Sequence, residues 1–191
     1  APIDIDVNIP AVSTNNILLL LCTTDSASDP ISSPPSGWTK IAEQDNAETY
    51  GATVVAYWKR ASSGSTATTE TWSSFFSTSE AYYIWVGAYS GCVTSGSPID
   101  SYGQNQVGYG SPWSVSLATQ SADTMVSTIA GSTHGSVTYT WADGTELIDT
   151  AYPTDSATVS INEKLEATSG SKTRTATPSL TTGFSGISVA L

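Results

Sequence analysis

Positive charge is the scarcest commodity in this chain: six Lys and Arg stand against seventeen Asp and Glu, and only 12% of 191 residues are charged. The net charge of −11 and the lack of any basic stripe argue against a nucleic-acid partner, because phosphate is repelled and little is present to displace its counterions. Histidine occurs once, at His134, and cysteine twice, at Cys22 and Cys92, so the usual zinc spacings cannot be assembled. Two distant cysteines are no disulfide framework either; Cys22, ending an apolar run, reads as a small core residue, with a Cys22–Cys92 bridge the less favoured alternative. Long apolar runs are missing as well. The longest, Ala81 to Tyr89, falls far short of the ~18 residues that span a bilayer, and Ala-Pro-Ile-Asp at the start lacks the features of a signal peptide. Neither a membrane helix nor a leader is expected. No segment carries a helical period.

What is present is strand material. Ser and Thr make up nearly a third of the residues, and Thr, Val, Tyr and Trp dominate the extended segments. Ile3, Ile5, Val7 and Ile9 alternate with Asp4, Asp6 and Asn8, which predicts an edge strand with one wet face. Ile17–Thr23, Gly37–Ile41, Ala52–Arg60 and Thr66–Trp72 follow as strands, separated by turns rich in Ser, Gly, Asp and Pro. Ala81–Tyr89, rich in Tyr, Ile, Trp and Val, predicts a central strand covered on both faces. Further strands are expected at Ile99–Val107, Trp113–Gln120, Thr124–Ala130, Thr145–Thr150, Ala157–Glu166, Lys172–Thr177 and Phe184–Leu191. This rhythm implies an all-β fold, a two-sheet antiparallel sandwich of jelly-roll-like type, as a single domain over residues 1–191.

The halves resemble each other, about residues 16–91 and 123–191. Asn16-Ile-Leu-Leu lies over Asp123-Thr-Met-Val and Gly37-Trp-Thr-Lys-Ile over Gly144-Thr-Glu-Leu-Ile. A two-residue slip then sets Ala52-Thr53-Val54 and Lys59 against Ala157-Thr158-Val159 and Lys164.

Pro34-Pro-Ser-Gly-Trp-Thr39, Ala56-Tyr-Trp-Lys-Arg-Ala61, the Thr-rich strand ending at Trp72, Ala88-Tyr-Ser-Gly91 and Ser97-Pro-Ile-Asp100 carry a wider likeness. In this order they resemble a β-sandwich module of phage virion and appendage proteins and bacterial extracellular proteins. The resemblance implies display, adhesion or capsid decoration at a virion or extracellular surface, with virion or cell-surface proteins as partners. These are strand and turn motifs, which speak to fold far more than to function.

Catalysis finds little footing. A triad would need His134 with Ser132 or Ser136, yet Gly131-Ser-Thr-His-Gly135 reads as a loop and no nucleophile elbow exists. The carboxylates fall at turns or on wet faces, so no desolvated pair suggests a glycosidase, and no enzyme is expected. Asp25, Ser26 and Asp29, or Asp45, Asn46 and Glu48, offer oxygen ligands to Ca²⁺ in loops, but ordinary solvated acids and Asx turns are the favoured reading, leaving no cofactor expected. Aromatic residues flanking Gly, Ser and Pro are harder to assign to a core. Tyr102, Asn105, Tyr109 and Trp113 form one candidate recognition surface in the loops, and Tyr139, Trp141 and Asp143 a second; plugging the sandwich ends is the competing role. The leading expectation is a noncatalytic phage decoration, fibre or receptor-binding module, with homo-oligomerisation expected for multivalency, and with glycans as further ligands if the chain is instead a carbohydrate-binding module of a secreted bacterial protein.

Overall fold

The computed structural model describes residues 2–25, 34–46, 51–76, 81–110, 112–152 and 157–191, and every regular element in it is a β-strand. Six strands precede residue 90: β1 (Ile3–Ile9), β2 (Ile17–Thr24), β3 (Thr39–Gln44), β4 (Thr53–Arg60), β5 (Thr68–Phe76) and β6 (Tyr82–Tyr89). Eight follow: β7 (Ser101–Gly110), β8 (Trp113–Thr119), β9 (Thr124–Ser132), β10 (Tyr139–Trp141), β11 (Thr145–Tyr152), β12 (Ala157–Glu166), β13 (Gly170–Pro178) and β14 (Thr182–Ala190). Among the described residues they form four antiparallel sheets, ordered β1-β5, β3-β4-β2-β6, β11-β12-β9-β14-β7 and β10-β13-β8. The expected all-β antiparallel sandwich is therefore present, and it is built twice, in four layers rather than two. All six Lys and Arg residues lie within strands.

The period of two decides which layer each side chain enters. Leu18, Leu20 and Cys22 of β2, with Val55 and Tyr57 of β4, meet Ile5, Val7 and Ile9 of β1 and Trp72, Phe75 and Phe76 of β5. Their chain neighbours Leu19, Leu21, Val54 and Ala56 point the other way, onto Ile129, Val159, Ile161, Ile187 and Val189 of the second half. A third core joins Trp113, Val115, Tyr139 and Ala176 to Ala130 and Phe184. With a core on each side, β2 has no wet face, and all eight of its residues are buried. That is why Ile-Leu-Leu-Leu-Leu-Cys runs without alternation.

The run from Ala81 to Tyr89 corrects its sequence reading. It forms β6, at the end of its sheet, with six of its eight residues half-buried and two exposed. Its rings cover their own strand: a Cβ on Gly87 would come within 2.4 Å of the Trp85 ring and 2.9 Å of the Tyr89 hydroxyl. Aromatic content reported strand propensity there, while the central place went to the leucine run.

The two halves share one topology. The order β3-β4-β2-β6 recurs as β11-β12-β9-β14, and the pair β1-β5 as β8-β13. Leu18 lies between Lys59 and Ala88, as Val126 lies between Lys164 and Ala190. Gly37 and Gly144 both adopt positive φ, 92° and 84°, before β3 and β11, and Asn15 and Asp123 do so before β2 and β9, at 68° and 54°. Leu18 thus matches Val126, one residue beyond the alignment of Asn16 with Asp123, and such a slip exchanges the two faces of a strand. Across the middle, β2 packs on β9, β4 on β14 and β6 on β12. Equivalent strands exchange partners, as at an isologous two-fold interface.

Truncating Leu21 to Ala, fully buried against the second half, is expected to cost about 3 kcal/mol in urea unfolding. Leu165→Ala, at a side chain 57% exposed, should change stability by less than about 0.5 kcal/mol under the same conditions.

Candidate recognition groove

The first candidate surface is a strand, not a loop. Tyr102 and Tyr109 on β7 are 51% and 59% exposed, and a bulge between Val107 and Gly110, where β7 has one residue more than β14, breaks the alternation between them. Tyr102 faces the first half, while Asn105 donates through Nδ2 to the Ser114 carbonyl at 2.7 Å. Asn105 therefore ties β7 to β8. Trp113 has no exposed surface; it packs edge-on against Trp141 and Phe184, with centroids 6.2 and 6.0 Å apart.

The second candidate resolves into structure too. Tyr139 is buried in the short strand β10, and burial pushes its phenol pKa well above the ordinary value. Trp141 is half-buried and donates from Nε1 to Ser160 Oγ at 2.7 Å. Asp143 anchors a charge cluster around Arg174, whose side chain is 1% exposed. Arg174 Nη1 donates to Asp143 Oδ1, while Nη2 reaches the Asp143 carbonyl at 3.1 Å and Asn162 Oδ1. Lys164 also donates to Asp143, at 2.6 Å, and Glu166 lies within 3.8 Å of Arg174. Burial lowers the Arg174 pKa and Asp143 and Glu166 oppose that; the guanidinium stays charged. Gly144 makes room for this cluster, since a Cβ there would sit 2.4 Å from Arg174 Nη2.

The remaining chemical candidates are dispersed or occupied. Asp25 accepts the Ala81 amide at 3.0 Å, fastening the ends of β2 and β6. Asn46 is fully buried and donates to the carbonyls of Val107 and Phe184, both at 3.1 Å. Asp45 is exposed, and Ser26, Asp29 and Glu48 lie outside the described residues. No group of three or more His, Cys, Asp and Glu able to hold a metal ion occurs among the described residues. Ser132 is buried and bonded to Thr182 at 2.9 Å. Cys22 and Cys92 are both free thiols, and burial raises the pKa of each, most for Cys22 in the first core. Among the described residues no helix is long and apolar enough to cross a membrane.

One arrangement escaped the sequence reading. Where β7 lies against β3 and β4, half-buried Trp58 and exposed Tyr102 line a groove of about 420 Å³ with Thr39, Lys40, Ile41 and Asp100. Trp58 stands on the β4 face that meets the second half, but at the margin of that core, so its ring is left partly open. The aromatic pair, with an ammonium and a carboxylate nearby, suits a flat ring bearing hydroxyls or a partner's aromatic side chain. On the other side of Ile99 and Asp100 opens a cleft of about 650 Å³ that includes Tyr89, Cys92, Met125 and Leu191. The signal for the groove lay in Tyr57-Trp58, where two successive aromatics on one strand must face opposite layers.

No family model matches the chain, and no curated protein or solved structure matches it either.

Two charge clusters make distinct predictions. Asp143→Ala leaves the buried Arg174 short of its main partner and should cost roughly 3 kcal/mol, whereas Arg174→Met, which removes the buried charge itself, should cost far less in the same denaturation assay. In the first half Glu70 accepts from Trp38 Nε1 at 2.8 Å and Lys59 Nζ at 2.5 Å. Burial works to raise the Glu70 pKa, but these bonds outweigh it and hold the carboxyl below its usual value. A depressed carboxyl stabilises the fold above its unfolded pKa, and that contribution is lost as pH falls through the folded value. Melting temperatures measured from about pH 6 down to about pH 2 should therefore fall less steeply for Glu70→Gln than for the parent chain.

Proposed function

We propose that the chain is a noncatalytic structural or adhesion module of a virion or extracellular surface, of the kind that serves as a phage capsid decoration, fibre or receptor-binding domain. The observation that carries this reading is what the molecule turns outward. Arg174, Asp143, Asn46, Asn105 and Glu70 are committed to internal bonds, while Tyr102 projects from an edge strand beside Trp58 in the groove. Aromatic anchors next to polar groups are the usual currency of protein recognition. Virion or cell-surface proteins are the partners this reading implies, and many copies on one surface would turn weak single contacts into firm attachment.

A second reading, a carbohydrate-binding module of a secreted bacterial protein, is favoured by the same groove, since indole and phenol rings with hydroxyl and charged neighbours hold sugars by stacking and hydrogen bonding. Binding to assembled particles or cells and to a glycan array, measured side by side, distinguishes the two. The adhesion module binds the assembled surface and leaves the array blank, and Tyr102→Ala weakens that binding about tenfold or more with an unchanged melting temperature. Binding to the array alone establishes the carbohydrate reading. Silence on both surfaces removes both.

A further inference from the structure

In the second half, β7 closes one flank of its sandwich. It pairs with the edge of β14 and lies against β8, where Asn105 bonds to Ser114 and a Cβ on Gly103 would come within 2.0 Å of the Ser116 carbonyl. The first half has the counterparts of β14 and β8, which are β6 and β1. Among the described residues it has no counterpart of β7: β6 pairs with β2 alone and β1 with β5 alone. Ile3, Ile84 and Val86 on this open flank are only partly buried against the first core.

The inner layer repeats the asymmetry. β3 packs against β14 and β7, whereas β11, the counterpart of β3, has no comparable strand packing across the interface among the described residues. Ile148 of β11 is left at the half-buried margin of the core between the halves. The open position is thus continuous with that interface.

The β6 edge also differs in its protection from the edges at β1, β3, β7, β10 and β11, while β8, equally uncharged and in unbroken register with β13, is covered by β7. Free edges are normally guarded by charge, bulges or brevity. β3 carries Lys40 and Glu43 and a register shift at Lys40/Ala42, and β11 carries Glu146 and Asp149 and a shift at Glu146/Ile148. β1 has Asp4 and Asp6, β7 has a register shift against β14 between Val107 and Gly110, and β10 is three residues long. β6 has eight uncharged residues in unbroken register with β2.

We propose that the β6 edge, with the neighbouring edge of β1, is a docking site for one extended segment of a partner polypeptide, which pairs antiparallel to β6 as β7 pairs with β14. Main-chain hydrogen bonds supply the affinity, and alternate apolar side chains of the incoming strand cover Ile3, Ile84 and Val86. The occupant is a single uncharged strand, not the edge of a second copy, because β11 already fills the layer where the inner sheet of an incoming sandwich would lie. This site is separate from the Trp58 groove, and its existence does not depend on what that groove binds.

Residue-resolved hydrogen exchange on the full chain, and on a version with a second copy of the Ser101–Pro112 sequence fused ahead of Ile3, tests the proposal. That copy meets β1 in the way that β7 meets β8. In the unfused chain the outward amides of Tyr82–Tyr89 should exchange far faster than those of β2. Fusion should slow them by about tenfold or more and raise the melting temperature, and proline at the positions copied from Gln104 and Gln106 should abolish both effects. β6 amides already as protected as β2 in the monomeric unfused chain, or a fused copy that stays labile with β6 unchanged, overturns the proposal. Protection that grows with concentration alongside a dimer in sedimentation would assign the edge to a second copy and refute the lone strand.

Discussion

Leu19 and Leu21 of β2 meet Ile129 of β9 in a core that neither half can complete alone. A two-sheet sandwich needs one buried face per sheet, and each half of this molecule has that face already satisfied by its own outer sheet. The second face of each inner sheet is apolar too, and on an isolated half it would form a contiguous hydrophobic patch of the size that drives association. Joined through one chain, the halves cover each other, and the close approach shows at Gly131, where a Cβ would meet Thr23 Oγ1 at 2.2 Å and Val54 at 3.1 Å. Ile99 packs at the margin of that core, and both clefts open beside it.

Having one topology twice lets the two halves be compared position by position. Ile5 faces Trp72 across β1 and β5 as Val115 faces Arg174 across β8 and β13. Trp72 sits in an aromatic cluster, edge-on to Trp38, Tyr57 and Phe75 with centroids 5.2, 5.6 and 5.1 Å away. Arg174 instead gathers Asp143, Asn162 and Glu166. The first solution rests mainly on area and ring geometry, with charge confined to its rim, where Trp38 meets the Glu70–Lys59 pair. The second desolvates charge, which adds little net stability but tolerates few alternative arrangements. The halves are therefore alike in shape and unlike in what disturbs them.

Much of the fold was legible because the strand period survives in short polar sequences. Ile3–Ile9 and Trp113–Thr119 alternate cleanly and were placed nearly to the residue. The four-layer stack was not legible, since an unbroken apolar run is compatible with any doubly covered strand, and the choice between Ile17–Thr24 and Ala81–Tyr89 depends on which one the other half covers. β10 escaped notice because three residues are too few to display a period. As for the site, Tyr102 and Tyr109 were visible as aromatics amid glycine, but Trp113 and Tyr139 carry the same local signature and are buried. Asp143 was read as part of a recognition surface because its partner Arg174 lies far along the chain. Trp58 has apolar strand neighbours like those of a core residue; its half-open state depends on where the facing layer stops.

The placement of the cations has a practical corollary. Lys40, Lys59, Arg60, Lys164, Lys172 and Arg174 are the whole supply, and each is held in a hydrogen-bonded strand. A protease that cuts after Lys and Arg needs an extended, unpaired stretch of backbone in its cleft, and every turn and connection of this chain is without such a residue. Tryptic cleavage of the native molecule must therefore wait for strands to leave their sheets, so the rate of digestion becomes a direct report of how often those sheets open.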